Sequence, residues 1–209
     1  MERANLRPDI NHHGSLRERK KARTRASIRE HALRLFREQG YAATTTEQIA
    51  AAAEVSPSTF FRYFPTKEDV VLQDDMDVRM FEAIERQPQT LSPIAAIRAA
   101  VKDALASYGP DELERFRTST ELTLTVPEVR ARALDEFGRT IEQIAAAVAA
   151  RAGLSPGDMH VRVLAGAVLG VMMSAMMPWD DLGRGNVDVR ALFDRVDEGL
   201  ALLESGLPL

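Results

Sequence analysis

The sequence contains no cysteine among its 209 residues. This absence excludes disulfides, zinc sites with thiolate ligands, iron–sulfur clusters and thiol nucleophiles, and it is compatible with a reducing cytoplasm. No catalytic triad, Gly-rich phosphate loop or histidine pair with a carboxylate at metal spacing is found. Adjacent His12 and His13 lack a third ligand. We therefore expect no enzymatic activity, no metal and no other cofactor.

Long apolar runs are also missing. Residues 1–6 have no apolar core of the kind found in a signal peptide. The longest uncharged apolar run, Val163 to Met177, has fifteen residues, fewer than the ~20 needed to span a bilayer. This run predicts a buried helix, no membrane association and a cytoplasmic location.

Alternating strand patterns and internal repeats are absent as well, so the sequence predicts an all-α protein. Proline and glycine separate a series of helical segments. A Ser-Pro pair recurs at 56, 92 and 155, in each case predicted as the N-cap and first residue of a helix. The predicted helices beyond residue 66 cover 67–87, 93–108, 111–125, 127–152, 156–178 and 187–205, with a polar loop at 180–186.

Charge is divided unevenly along the chain. Residues 1–67 carry 13 Lys and Arg against 7 Asp and Glu, whereas residues 68–209 carry 14 against 24. A basic end attracts phosphates and an acidic end is repelled by them. Basic helices can also be ordinary solvated faces, so the charge alone leaves both interpretations open.

Residues 41–68 have the layout of a helix-turn-helix, whose second helix enters the DNA major groove. Thr45 can cap the first helix, with Gln48 completing a capping box. Ser56 can cap the second helix, with Pro57 at its first position. Phe60 and Phe64, four residues apart, are predicted to face inward. The outward positions are then Ser58, Thr59, Phe61, Arg62 and Tyr63.

A long helix is predicted before this unit, over 16–39. Ile28, Ala32, Leu35 and Phe36 fall at helical spacing, and Gly40 follows as a C-terminal stop. This helix would close a three-helix domain. Its first part, 17–25, is strongly basic.

The chain resembles the TetR family of transcriptional repressors. The turn has Glu54 where the family usually has Gly, and the second helix has Phe61 where Tyr is frequent. If position 54 needs φ > 0, the cost is roughly 1–2 kcal/mol. The resemblance rests on matching residues in unbroken order: Ala32, Leu35, Phe36, Gly40, Tyr41, Thr44, Thr45, Ile49, Ala50, Val55, Ser56, Thr59, Phe60, Tyr63, Phe64, Pro65, Lys67 and Glu68.

The coil-like residues 11–15 indicate a flexible arm at 1–15. The resemblance implies a helix-turn-helix DNA-binding domain at 16–66 and a helical ligand-binding and dimerisation domain at 67–209. It implies a dimeric, ligand-responsive repressor that binds an inverted-repeat operator. A pendulum-like shift of helix 67–87 would then change the spacing of the two recognition helices when a ligand enters.

Contacts to double-stranded DNA follow from the matched motif and the outward positions. Thr46, Tyr63 and Lys67 are expected to bind phosphate. Arg23 and Arg25 are expected to add backbone or minor-groove contacts. The residues expected to face base edges are Ser58, Thr59, Phe61 and Arg62.

The last two long helices are predicted to form a homodimer interface. Gly166 and Gly170 would allow close approach of a second backbone. The alternative is that both helices belong to the internal core. The predicted seam, close to coiled-coil spacing, contains Val189, Leu192, Phe193, Val196 and Leu200.

An apolar or amphipathic effector is expected between the central helices, because flexible methionines adapt to apolar ligands. A pocket lined by both apolar and polar side chains suits an amphipathic ligand. Methionines also fill cores, so that alternative stays open. The predicted lining is Met80, Phe116, Thr120, Met173 and Met176.

A second hypothesis is a helical small-molecule-binding or enzymatic domain in which the helix-turn-helix is only structural. The divided charge and the outward positions of Arg62 and Tyr63 favour DNA binding instead. Retention on heparin or DNA that disappears with salt distinguishes the two.

Overall fold

A computed structural model describes residues 16–73, 76–176 and 187–208, without the side chains of Met76 and Asp77. The predicted arm 1–15 and loop 180–186 lie outside the described residues. The described parts contain helices and no strands, which confirms the all-α prediction. The helices are α1 (Leu16–Gln39), α2 (Thr46–Ala52), α3 (Pro57–Tyr63), α4 (Lys67–Leu72), α5 (Met76–Arg86), α6 (Pro93–Ser107), α7 (Pro110–Thr125), α8 (Pro127–Ala152), α9 (Met159–Met176) and α10 (Val189–Glu204).

The predicted caps of the helix-turn-helix are present. Thr45 and Gln48 form the capping box of α2, and the Ser56 hydroxyl accepts from the Thr59 N–H at the start of α3. Gly40, with φ of 86°, ends α1. Local chemistry therefore sets the ends of these helices, because each cap satisfies a backbone group that the helix leaves unpaired.

Helices α1 to α4 share an apolar core. Phe60 and Phe64 are completely buried in it, with ring centroids 6.2 Å apart. Val70 and Val71 of α4 belong to the same core, as does Val129 from α8. This core therefore extends beyond residue 66 and includes a residue of the C-terminal body.

The turn between α2 and α3 contains a strained residue. Glu54 has φ of 54°, in the left-handed region where a side chain costs roughly 1–2 kcal/mol. The positive φ considered for this position from the sequence is therefore observed.

Replacing Glu54 by glycine is expected to stabilise the fold by about 1 kcal/mol, because glycine adopts positive φ without the Cβ clash. Ala51→Gly, at an exposed position in α2, is the control and should destabilise by about 1 kcal/mol. Urea unfolding followed by circular dichroism measures both. A loss of stability in Glu54→Gly would contradict the strain assigned to the turn.

The predicted single helix over 67–87 is wrong. The structure has two helices there, because α4 ends at Leu72 and Gln73 is extended, with ψ of 99°. The Gln73 side chain accepts a 2.8 Å hydrogen bond from Arg25. Asp74, Asp75 and Asp77 follow in the sequence, and aspartate is a weak helix former.

The third Ser-Pro pair is also not a helix start. Ser155 to Asp158 form a turn closed by a 3.0 Å hydrogen bond from the Asp158 N–H to the Ser155 carbonyl. Pro156-Gly157 is a typical turn dipeptide. The Asp158 carboxylate accepts from the His160 N–H at 2.8 Å, so α9 begins after it. Ser92-Pro93, by contrast, caps and opens α6 as predicted.

The body is formed by α5 to α10 around a second apolar core. Helix α9 packs between α8 and α10, and α10 also contacts α6. By length and composition α9 could cross a membrane, and only 28% of it is buried within the chain. A strongly apolar helix is thus left with a large exposed surface.

Gly199 of α10 lies against Val171 of α9. A Cβ added at Gly199 would come 2.6 Å from Val171 Cγ1, a distance that real Cβ atoms do not show. Glycine therefore sets the separation of these two helices.

Gly199→Ala is expected to destabilise the protein by about 1–3 kcal/mol, because overpacking forces a stiff β-branched side chain or the backbone to move. Gly138→Ala is the matched control. It lies within α8 with no heavy atom of the described residues within 4 Å of an added Cβ, so the same change should stabilise by about 1 kcal/mol. Equal effects in thermal unfolding would show that α9 and α10 can separate freely.

Polar contacts join helices α1 to α4, the predicted DNA-binding unit, to the body. Arg29 of α1 donates to the Ser119 hydroxyl at 2.9 Å. Asp69 of α4 is completely buried, and its Oδ1 accepts from Arg132 Nε of α8 at 3.0 Å. Its Oδ2 accepts from the Thr66 N–H at 3.0 Å. One carboxylate therefore both caps α4 and attaches it to the body.

Candidate nucleic-acid interface and effector region

Helix α3 has a buried face and an exposed face within seven residues. Phe60 is completely buried, whereas its neighbour Phe61 is 47% exposed and packs edge-on to it at 5.3 Å. Ser58 and Arg62 are exposed, and Tyr63 is half-buried. Three of the sequence-predicted outward positions, Ser58, Phe61 and Arg62, are therefore exposed, whereas Thr59 is half-buried like Tyr63.

Hydroxyl groups cluster at the N-terminus of α3. Ser56 Oγ lies 2.9 Å from both Ser58 Oγ and Thr59 Oγ1. Thr46, at the start of α2, is half-buried, and its hydroxyl donates to Glu47 at 3.3 Å. These groups can bind phosphate or base edges, because each hydroxyl can donate as well as accept.

A wide groove of about 1140 Å³ runs between the start of α1 and the end of α3. It brings together Arg23, Arg62 and Tyr63, three of the residues predicted to bind DNA. It also contains basic residues that the sequence prediction did not single out, although they belong to the basic stretch 17–25. The lining residues are Leu16, Arg17, Glu18, Arg19, Lys20, Lys21, Arg23, Thr24, Arg62 and Tyr63.

The groove has the electrostatics that a phosphate backbone requires. Its lining contains six Lys and Arg residues and one acidic residue, Glu18. Arg62 and Tyr63 come from the recognition helix, with the Arg62 guanidinium 5.4 Å from the Tyr63 ring centroid. A surface of this kind attracts DNA through counterion release.

Arg25 is placed differently from the prediction. Its guanidinium donates to the Tyr63 carbonyl at 3.3 Å and to Gln73 Oε1 at 2.8 Å. It also lies 4.7 Å from the Phe64 ring centroid. The predicted backbone or minor-groove contact is not supported, since this arginine holds the end of α3 against the start of the body.

Lys67 is likewise directed inward. Its ammonium donates to the carbonyls of Tyr41 at 2.9 Å and Thr44 at 3.1 Å, and lies 4.0 Å from the Tyr41 ring centroid. The phosphate contact predicted for Lys67 is therefore not supported. Burial opposes ionisation of Glu68, but the 2.6 Å hydrogen bond from Tyr41, a backbone hydrogen bond, a hydrogen bond from Thr66 and the charge of Lys67 together outweigh burial and lower the pKa of Glu68. Lys67 and Glu68 together fasten α4 to the turn before α2.

The predicted dimer seam lies inside the subunit. Val189, Leu192, Phe193 and Leu200 are each at most 8% exposed in the single chain, and Val196 packs against the same core. For these four buried residues the alternative of an internal core holds and the predicted contact with a partner is not supported. The contact predicted for the half-buried Val196 stays a prediction.

The two glycines of α9 are outside that core. Gly166 and Gly170 are exposed, and on the same helix Met159 and Val163 are 68% and 62% exposed. These four residues define the outer face of α9, an exposed surface of two glycines and two apolar side chains.

Three of the predicted effector residues, Met80, Phe116 and Met173, pack against the apolar core of the body. Thr120 is almost completely buried. Met176 is half-buried at the end of α9. Phe116 lies beside Phe193, with ring centroids 5.6 Å apart, and also lines a cavity at the junction with the DNA-binding unit.

A capped helix-turn-helix with a basic groove, mounted on a larger helical body, defines a DNA-binding transcriptional regulator. Two family descriptions match the sequence. Residues 28–73 match "Bacterial regulatory proteins, tetR family", and residues 91–208, more than half of the chain, match "MftR C-terminal domain" of TetR-type regulators. The chain belongs to the TetR family of bacterial transcriptional regulators.

Individual relatives agree with this assignment. The transcriptional regulator TcmR of Streptomyces glaucescens is 37% identical over 150 residues, which are 68% of this chain and 66% of the relative. The Mycobacterium tuberculosis protein assigned as the mycofactocin biosynthesis regulator MftR is 28% identical, covering 87% of this chain and 93% of its own.

A solved structure shares the fold. The repressor FadR of Thermus thermophilus, crystallised with lauroyl-CoA, is 26% identical with a TM-score of 0.56. The similarity covers 88% of this chain and 95% of the FadR chain.

Proposed function

We propose that the protein is a ligand-responsive repressor that binds an inverted-repeat operator as a homodimer in the cytoplasm. The observation that carries the proposal is the basic groove formed by the start of α1 and the end of α3. In that groove the recognition helix and six cationic side chains form one surface.

On DNA, α3 enters the major groove. Arg62 offers a bidentate donor to guanine, and Phe61 offers an apolar surface to a thymine methyl. Ser58 and Thr59 extend this reading surface toward the start of the helix. Tyr63 and Thr46 supply hydroxyl donors to phosphate.

Positions in α1 supply sequence-independent affinity. Arg23 is exposed in the groove with the other cations of the 17–25 stretch. Arg25 and Lys67 act indirectly, since their hydrogen bonds hold the ends of α3 and α4. In this proposal α3 supplies the sequence-specific contacts to bases, and the basic start of α1 supplies the contacts to phosphates.

The dimer uses the outer face of α9. Exposed glycines allow two helices to approach closely, and Met159 and Val163 supply apolar area to bury. Two-fold symmetry places the same surface on both subunits. The two recognition helices are then related by the same axis as the halves of an inverted repeat.

The effector is an apolar or amphipathic small molecule that enters the body near Phe116. The Thermus thermophilus repressor crystallised with lauroyl-CoA is a structural relative in which an amphipathic molecule is bound. Contacts such as Asp69–Arg132 and Arg29–Ser119 link the body to the DNA-binding unit, so a shift in one changes the position of the other.

Arg62→Ala is expected to weaken operator binding by about 1–3 kcal/mol and to relax sequence preference, because a base contact is lost. The operator is first selected from random duplexes with the wild-type protein. Arg139→Ala, an exposed arginine on α8, is the control and should bind as the wild type does.

If each subunit neutralises about four phosphates, the logarithm of the wild-type affinity should fall against the logarithm of salt with a slope of about −7. Selected sequences should contain an inverted repeat. Salt-independent binding, or equal affinities of Arg62→Ala and wild type, would refute the assigned DNA surface.

A further inference from the structure

A cavity of about 220 Å³ lies where the DNA-binding unit meets the body. It is separate from the basic groove and lies on the inner side of α1. Helix α1, the residue after α4, helix α5, the end of α6 and helix α7 all contribute to it. Its lining consists of Arg25, Ala26, Arg29, Glu30, Gln73, Arg79, Tyr108, Glu112, Arg115 and Phe116.

The lining is rich in arginine. Four guanidinium groups converge from three helices, against two carboxylates among the described lining residues. Arg25 and Arg29 come from α1, Arg79 from α5 and Arg115 from α7. Arginines from both structural units therefore face the same small space.

Some of this charge is already compensated. Arg79 forms an ion pair with Glu112, and the Glu112 carboxylate also accepts from the Gly109 N–H at 3.0 Å. Arg115 is half-buried, has no hydrogen bond or ion pair to the described residues, and interacts with Glu112 only through longer-range electrostatics. A positive charge at this site is thus available to a ligand.

We propose that this cavity binds an oxyanion, a phosphate or a carboxylate, and that this anion is the polar end of the effector. The planar fork of arginine pairs with both groups through two parallel hydrogen bonds. The cavity is large enough for such a group and too small for a complete drug-sized ligand. The inference rests on the proposed ligand-responsive function, which it deepens.

The apolar part of the effector points into the body. Phe116 lines the cavity on one side and contacts Phe193 on the other, at 5.6 Å between ring centroids. Phe193 belongs to the apolar core of the body. A ligand with its anion at Arg115 can therefore place an apolar chain along Phe116.

The same cavity contacts the DNA-binding machinery through Arg25. This guanidinium lines the cavity and also donates to the carbonyl of Tyr63, the last residue of the recognition helix. An anion attracts Arg25 and competes for its donors. Binding at the junction thereby loosens the end of α3 and lowers DNA affinity, and by linkage DNA lowers anion affinity by the same factor.

The test measures thermal unfolding of the DNA-free protein with inorganic phosphate, with chloride at equal ionic strength as the reference. Phosphate should raise Tm, because a ligand that binds the folded state stabilises it. Arg115→Gln should weaken phosphate affinity at least tenfold, and Arg115→Lys, which keeps the charge, should recover part of it. Arg139→Gln and Arg23→Gln should respond as the wild type does.

The Arg23→Gln variant separates the cavity from the DNA groove. If the phosphate effect is lost in Arg23→Gln but kept in Arg115→Gln, the anion binds in the groove and the proposal is wrong. A Tm that rises no more with phosphate than with chloride also overturns it.

Decyl phosphate below its micellar concentration distinguishes an amphiphile from a free ion. It should bind at least tenfold more tightly than inorganic phosphate and should show the same dependence on Arg115. If decyl phosphate still binds Arg115→Gln as tightly as it binds the wild type, its alkyl chain and not its phosphate determines where it binds, and the proposed anion site is wrong.

DNA binding without any added anion is measured in parallel. If wild type shows the expected salt-dependent DNA binding but no response at Arg115, the anion site fails and the regulator remains. If DNA binding is absent, the proposed function itself fails, whatever the anion does.

Discussion

A Gly166→Glu, Gly170→Glu double variant is expected to be monomeric and to lose operator binding. In a symmetric dimer the two changes place four carboxylates at the contact of the two α9 helices, where they have no partners. Each unpaired buried charge costs about 3–5 kcal/mol, so dimer affinity should fall by well over ~100-fold. Sedimentation and operator binding at micromolar protein measure both effects.

The single chain itself should tolerate this change. A Cβ at either glycine meets no heavy atom of the described residues within 4 Å, so circular dichroism should show a folded helical protein. Gly138→Glu, at an exposed position of α8, is the control and should remain dimeric. A double variant that still sediments as a dimer would exclude the outer face of α9 as the interface.

Phe60→Ala is expected to reduce the stability of the fold, whereas Phe61→Ala, at the neighbouring position, is expected to reduce operator affinity. Phe60 is completely buried and its loss should destabilise the DNA-binding unit by about 3–5 kcal/mol. Phe61 is 47% exposed, so its truncation should leave the fold intact and weaken operator binding by about 1 kcal/mol or more.

Hydrogen exchange in α2 and α3 separates the two outcomes. Phe60→Ala should lose protection there while α9 and α10 keep theirs, because the buried residues of those two helices belong to the other core. Phe61→Ala should keep protection throughout. Reversed results would mean that α3 presents its other face to DNA.

Local sequence signals predicted the helix-turn-helix with good accuracy. The Thr45 and Ser56 caps, the inward Phe60 and Phe64, and the stop at Gly40 all depend on residues close in sequence. Such interactions are fixed by the backbone geometry of a few residues. They could therefore be predicted without knowledge of the tertiary structure.

Tertiary packing limited the remaining predictions. The spacing of Leu192 and Leu200 shows that one face of α10 is apolar, but a core and a subunit interface have the same periodicity. Only the position of α6 and α9 beside α10 shows that this face is already covered. The break at Gln73 likewise involves a bond from Arg25, 48 residues away in the sequence.

Long cationic side chains were the other difficulty. The sequence shows where Arg25 and Lys67 carry charge, but not the direction in which several rotatable bonds send it. Both turn toward carbonyl oxygens of the protein. The outward orientation of Arg62 was easier to predict, because phenylalanines occupy the inward positions of the short helix α3.

The buried Asp69 connects the predicted DNA-binding unit to the body at one fixed point. One of its oxygens accepts from the N–H of Thr66 before the first turn of α4, and the other accepts from the Arg132 guanidinium of α8. Asparagine would keep one acceptor and lose the charge, and glutamate would displace both bonds. The proposed DNA-contacting and effector-binding residues can therefore change independently of one another, whereas a substitution at Asp69 requires compensating changes in α4 and α8.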